Sequence, residues 1–122
     1  MHITSLKKNE VFVFGSNLAG RHGAGAALFA AKNFGAKYGV GEGITGQCYA
    51  IPTKDYNIQT LPLDHIDSYI LTFLIRALKN PSLTFLVTEI GCGLAGYKTS
   101  EIKSLFDRYS KISNVVLPES FL

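Results

Sequence analysis

Two apolar runs in this chain end in the same way. Val11-Phe12-Val13-Phe14 runs into Gly15, and Leu83 to Ile90, broken only by Thr84, Thr88 and Glu89, runs into Gly91. Continuous apolar runs of this length, bounded by glycine, read as buried strands. Each is followed by a glycine-rich stretch and then by a helix-like segment, which is the repeating unit of an α/β sheet. Ten of the 12 glycines fall between Gly15 and Gly46 or between Gly91 and Gly96, once Gly35 and Gly39 are set aside as a helix end and a turn. Clustered glycine marks backbone that bends tightly or approaches something closely.

The remaining segments fit the same plan. Ala24 to Lys37 is alanine-rich and carries Leu28 and Phe29, which predicts a helix closed by Gly35 and Gly39. Gly39 to Gly46 reads as an irregular loop and Cys48 to Pro52 as a short strand. Asp64 is placed to cap a helix from about His65 to Lys79, whose apolar face is Ile66, Tyr69, Ile70, Phe73, Leu74 and Ala77. Asn80-Pro81 stops it. Thr99 or Ser100 can cap a last helix reaching about Ser110, and Asn114 to Leu117 reads as a final strand. The expected fold is one three-layer α/β domain over residues 1–122, with both glycine loops at one edge of the sheet. Open α/β sheets bind ligands there, outside the carboxyl ends of their strands.

Composition narrows the function. Hydrophobic residues make up 47% of the chain and charged residues 17%, which supports a core and argues against disorder. The formal charge of +3, from 12 basic and 9 acidic residues, is scattered apart from Lys7-Lys8. It can attract an anion, but a nucleic-acid-binding stripe is absent, so a nucleic-acid-associated protein is the least favoured reading. The start of the chain lacks a basic segment followed by an apolar run, and Tyr69 to Leu78 is short and carries Arg76, so no membrane association is expected. Cys48 and Cys92 form neither a metal pair nor a CxxC motif. Two free thiols, a cytoplasmic setting and no metal or cofactor are expected.

Three motifs carry chemistry. In the first, Gly15-Ser16-Asn17 leads through Gly20-Arg21-His22 to Gly23-Ala24-Gly25. Small residues let backbone N–H groups approach an anionic oxygen, and the helix that follows adds its positive end. Asn17 is placed to orient a sugar hydroxyl. The stretch contains neither a Walker motif nor GxGxxG, and a tight strand-to-helix turn would use the same glycines for steric reasons. The second motif, Gly91-Cys92-Gly93-Leu94-Ala95-Gly96-Tyr97, can present several N–H donors to a diphosphate. Tyr97 either closes over a base or ribose or serves as a packing residue. The third is Pro52-Thr53-Lys54-Asp55. Its lysine can clamp an anion or, if desolvated, act as a nucleophile, although an exposed Lys-Asp pair is the plainer reading. His22 is a candidate general acid or base, although a loop histidine is more often only a hydrogen-bonding residue. Glu42 is a weak candidate for ligand contact. Cys92 is a poor nucleophile candidate, because no base is paired with it in the sequence.

Together these residues resemble a macro domain. Asn17 through Ala27 resembles the family's ribose-binding loop and Gly91 to Gly96 its phosphate-binding loop. Pro52-Thr53-Lys54 with Gly91-Cys92-Gly93-Leu94 is similar to the branch that removes ADP-ribose from glutamate or from DNA bases. The matches run from about Val11 to Tyr97, and small phage and bacterial proteins carry a similar set. The resemblance implies a mixed central sheet and a site for ADP-ribose or a related nucleotide such as NAD. Its binding residues would be Gly15, Ser16, Asn17, Gly23, Ala24, Gly25, Thr53 and Gly91 to Tyr97. ADP-ribosylated protein or DNA would be the partners. It also implies possible hydrolysis by Lys54, with Asn17 holding a hydroxyl and His22 or Glu89 supplying an acid. Two positions depart from the pattern. Ala95 stands where the hydrolase branch has an aspartate, and His2 stands loosely where an adenine-reading aspartate is common. Binding is therefore implied more securely than hydrolysis, and a non-catalytic module that reads or sequesters the nucleotide is the alternative.

Overall fold

A computed structural model describes residues 3–122 of the chain; His2 lies outside the described residues. Five strands, β1 (Glu10–Asn17), β2 (Gly43–Thr45), β3 (Cys48–Lys54), β4 (Thr84–Val87) and β5 (Val115–Val116), form one sheet in the order β2-β3-β1-β4-β5. β1 is parallel to β3 and to β4, and β4 is parallel to β5. Only β2 runs antiparallel, so the sheet is mixed. Helices α1 (Gly25–Asn33), α2 (Leu63–Leu78) and α3 (Thr99–Asp107) complete an α/β fold, with a short 3-10 turn at Glu119–Phe121.

The side chains of β1 alternate between two cores, as strand geometry requires. Val11 and Val13 point to the larger one, with Tyr49, Ile51, Phe85, Ile66, Ile70 and Phe73 of α2 and Ile102 and Leu105 of α3. Phe12 and Phe14 point to the other, with Cys48, Ala50 and Ala27 and Ala30 of α1. Helices thus cover both faces, which explains why β1 is apolar at successive positions. Phe73 anchors the larger core, with its ring centroid 4.9 Å from that of Tyr49 and 5.5 Å from that of Phe85. Truncating a phenylalanine so placed costs about 3–5 kcal/mol.

Several element ends differ from expectation. β1 continues past Gly15 to Asn17, because β3 supplies partners as far as Lys54. α1 stops at Asn33 rather than Lys37, and the turn beyond it passes through Gly35 at φ 79°. Part of the loop at 39–46 is a strand, β2, paired with β3. α2 begins at Leu63 behind Pro62, and Asp64 sits inside its first turn instead of capping it. β4 ends at Val87, where the Thr88 N–H and hydroxyl both donate to the Val13 carbonyl, at 3.0 and 2.8 Å. α3 is preceded by Lys98, whose backbone N–H donates to the Glu101 carboxylate at 2.9 Å. No helix among the described residues is long and apolar enough to cross a membrane.

Candidate ligand-binding site

The strand order dictates where the sheet opens. The chain leaves β1 toward α1 and then β3 on one side, and leaves β4 toward α3 and β5 on the other. β1 and β4 are neighbours, so their outgoing loops diverge, and a crevice must form beyond their carboxyl ends. A cleft of about 460 Å³ lies there. Its walls come from Gly15 to Asn17 and Gly23 to Ala27, from Thr53, Lys54 and Ile58, and from Thr88 to Gly91 with Gly93 to Ala95. The two glycine loops and the Pro-Thr-Lys strand end therefore share one cavity.

The floor is tightly built. A Cβ added at Gly15 would lie 3.5 Å from Gly91 N and 3.5 Å from Thr53 Oγ1. Thr53, buried, donates its hydroxyl to the Ser16 carbonyl at 3.2 Å. The Ser16 hydroxyl donates to the Gly41 carbonyl. Both hydroxyls are thus committed to holding strand ends and loops together. At the rim the two loops nearly meet, since a Cβ at Gly25 would lie 3.8 Å from Leu94 Cδ1.

Backbone donors are the chemical resource of this cleft. The first helical hydrogen bond of α1 is Leu28 N–H to the Ala24 carbonyl, and Ala24 has no side chain that can cap. The N–H groups of Gly25, Ala26 and Ala27 accordingly have no acceptor within the helix. Across the cleft, the N–H groups of Cys92, Gly96 and Tyr97 are taken by the carbonyls of Glu89, Gly93 and Gly91. Those of Gly91, Gly93, Leu94 and Ala95 make no hydrogen bond among the described residues. All seven of these residues line the cleft. Unsatisfied N–H groups beside a helix N-terminus favour an anion.

Lys54 is half-buried at the end of β3 and lines the cleft. It stands opposite Asn17 in the β1–β3 register, where the ladder shifts between Ser16 and Asn17. Asp55 does not neutralise it. The Asp55 carboxylate accepts from the N–H groups of Asn57 and Gln59, at 2.8 and 3.0 Å, and so closes the turn after β3. Arg21 is the other cation on the wall, and Glu89 the only acid; the Glu89 carboxylate accepts from the Ser120 hydroxyl at 2.5 Å.

Asn17 lines the cleft, but its amide is engaged in both directions. Nδ2 donates to the Arg21 carbonyl at 2.8 Å, and Oδ1 accepts from the Arg21 N–H at 3.0 Å. These two bonds shape the first loop. Five candidate site residues stand outside the cleft wall. His22 is fully buried, with Nε2 against the Lys37 carbonyl at 2.9 Å and its ring between Phe14 and Tyr38, so it cannot reach a ligand as acid or base in this conformation. Cys92 turns toward the larger core, and burial, helped by the charges of Glu89 and Glu101, pushes its thiol up to about 11. Such a thiol is protonated at neutral pH and is not a nucleophile. Tyr97 packs on the larger core and donates its hydroxyl to the Leu61 carbonyl at 2.7 Å, so it fastens the second loop rather than closing over a ligand. Gly96, at φ 88°, forms the turn behind that loop. Glu42 is paired with Arg76 at 2.7 Å, away from the cleft.

No family model, curated protein or solved structure matches this chain. Among the described residues no group of three or more His, Cys, Asp or Glu side chains could hold a metal ion. A larger cavity, about 630 Å³, lies between α2, the end of α3 and the C-terminal turn, and none of the expected site residues lines it. Ile58 and Arg21 are cleft residues that the sequence reading did not single out. Ile58 carried no sequence signal, because its place depends on how the turn after β3 folds back over the site.

Proposed function

We propose that the cleft binds ADP-ribose or a close relative such as NAD, in the manner of the macro domains that the motifs resemble. The observation that carries this reading is the convergence of unpaired N–H groups from the start of α1 and from Gly91 to Ala95 on one cavity that also holds Lys54. Its size suits a ligand of this class. The diphosphate would lie against the second loop, with the distal ribose toward Lys54 and Asn17. Two free thiols are in keeping with a cytoplasmic setting.

Binding without turnover is the form that the residues support best. Ala95 has no titratable group, and His22 is buried outside the cleft. The one specific point in favour of hydrolysis is Lys54, a cleft amine that forms no ion pair among the described residues. Attack at C1″ would need that amine deprotonated and an acid for the leaving group, and Glu89 is the only carboxylate on the wall. ADP-ribosylated protein or DNA would then be the partner. The test is calorimetry with ADP-ribose, NAD, AMP and a cyclic nucleotide, together with release assays on ADP-ribosylated glutamate and nucleobases. ADP-ribose should bind most tightly. Wild type and Lys54→Ala should release nothing, and Ala95→Asp should gain activity if the frame is that of a hydrolase. Failure of every nucleotide to bind would overturn the proposal.

A further inference from the structure

Among the described residues, Ile58 is the only non-glycine residue with a positive φ, at 61°. A β-branched side chain in the left-handed region is a true outlier, because its branched Cβ crowds the backbone. The turn that holds it is over-determined. Ile58 N–H donates to the Asp55 carbonyl at 3.2 Å, and the N–H groups on either side of it donate to the Asp55 carboxylate. Asp55 N–H closes back on the Gln59 carbonyl at 2.8 Å, and Lys54 bridges to Thr60. The turn is also tied to the second glycine loop, since the Thr60 hydroxyl donates to the Ala95 carbonyl at 3.0 Å. Asn57, a residue that tolerates the left-handed region, sits next door and does not adopt it. A sequence serving turn stability alone would carry glycine or asparagine at position 58.

The strain has a visible return. Ile58 lines the cleft in the turn that starts at Lys54 and is tied to Ala95, and adds a branched apolar side chain to a wall whose other large apolar members are Ile90 and Leu94. Strained backbone held by its surroundings at a cavity wall is a mark of a ligand contact. We propose that Ile58 is a specificity-determining residue, whose side chain packs against the distal end of the bound ligand beside Lys54. This rests on the reading of the cleft as an ADP-ribose site. The apolar wall beside Lys54 favours a ligand whose distal part is a ribose face or a planar group, and disfavours one that brings a positive charge there.

Two variants test this. Ile58→Asn relieves the strain and removes the apolar surface, whereas Ile58→Leu keeps the surface. Ile58→Asn should raise the thermal midpoint and weaken ADP-ribose binding about tenfold, while leaving ADP, which lacks the distal ribose, unchanged. Ile58→Leu should keep ADP-ribose affinity near wild type. A lower midpoint in Ile58→Asn, or equal losses for ADP and ADP-ribose, would show that Ile58 is a packing residue and overturn the proposal. Unchanged ADP-ribose affinity in Ile58→Asn would do the same while the site reading stands. A wild-type protein that binds neither nucleotide removes the site reading itself, and this inference with it.

Discussion

The glycines between Gly20 and Gly46 and those between Gly91 and Gly96 look alike in sequence and differ in what surrounds them. In the first region glycine lets the chain touch itself. A Cβ at Gly41 would lie 2.2 Å from the Asn17 carbonyl oxygen, one at Gly20 2.4 Å from the Gly39 carbonyl carbon, and one at Gly46 2.3 Å from the Gly35 carbonyl oxygen. In the second region Gly93 and Gly96 meet nothing within 4 Å. Gly20, Gly41 and Gly46 are used up by packing one loop on another, and Gly91 by packing on Ile102, 2.8 Å from where its Cβ would lie. At Gly93 the missing side chain leaves room that the protein itself does not fill. Glycine clusters therefore mark close approach, and only the structure tells whether the approaching group is the chain or a ligand.

That contrast is open to direct attack. Gly41→Ala should have the largest effect, because its Cβ would collide with backbone that cannot move without dragging β1. A loss of about 3 kcal/mol or more in urea denaturation is expected, in line with severe overpacking. A loss below about 1 kcal/mol would mean that the two loops yield easily, and would erase the distinction. Gly93→Glu should behave in the opposite way. Its side chain enters open space, so stability should stay within about 0.5 kcal/mol of wild type, while ADP-ribose binding should weaken about a hundredfold from the lost space and the added negative charge. Calorimetry and urea melts on the same variant separate the two. Equal affinity would show that the open side of the second loop does not face the ligand.

The smallest effect concerns the thiols, one under each region. Burial pushes Cys48, beneath the first, and Cys92, in the second, up to about 11 from an ordinary 9.0. A fold that keeps a thiol protonated contributes stability below the unfolded-state value and loses it as pH rises toward the folded one. Stability should therefore decline between pH 9 and about 11. Cys92→Ala should make that decline shallower without changing ADP-ribose affinity, as followed by urea midpoints at each end of the window. An affinity loss in Cys92→Ala would place the thiol in the site after all.

Much of the fold could be read from local pattern. Val11 to Phe14 and the apolar face of α2 are periodic over enough residues to settle element type, and the order of strands and helices settles the class. The convergence of Gly15, Lys54 and Gly93 on one cleft was legible too, because each lies at or beyond the carboxyl end of a strand and parallel strands end on the same side. Features set by distant partners were not. β2 is three residues long, starts on Gly43, and exists because β3 lies beside it. Asn17 is a plausible sugar ligand by type, yet Arg21 takes its amide. His22 reads as a loop histidine until the ring is found between Phe14 and Tyr38, a contact decided by how the first loop folds onto the segment near Lys37. Ile58 could not be foreseen, because nothing in its neighbours asks an isoleucine to adopt a glycine's backbone.

The position of β1 bears on how the molecule is made. It precedes the sheet's other strands in the chain and is the central one, with Phe12 paired to Cys48 on one side and Glu10 to Thr84 on the other. Parallel pairing offers no tight hairpin to start from, so the contacts that complete it close long stretches of chain. On the ribosome, Val11 to Phe14 can pair with β3 first but must keep one bare hydrogen-bonding edge until residues 84–87 have emerged. The interval before β4 emerges is when this strand is most exposed to pairing with the wrong neighbour.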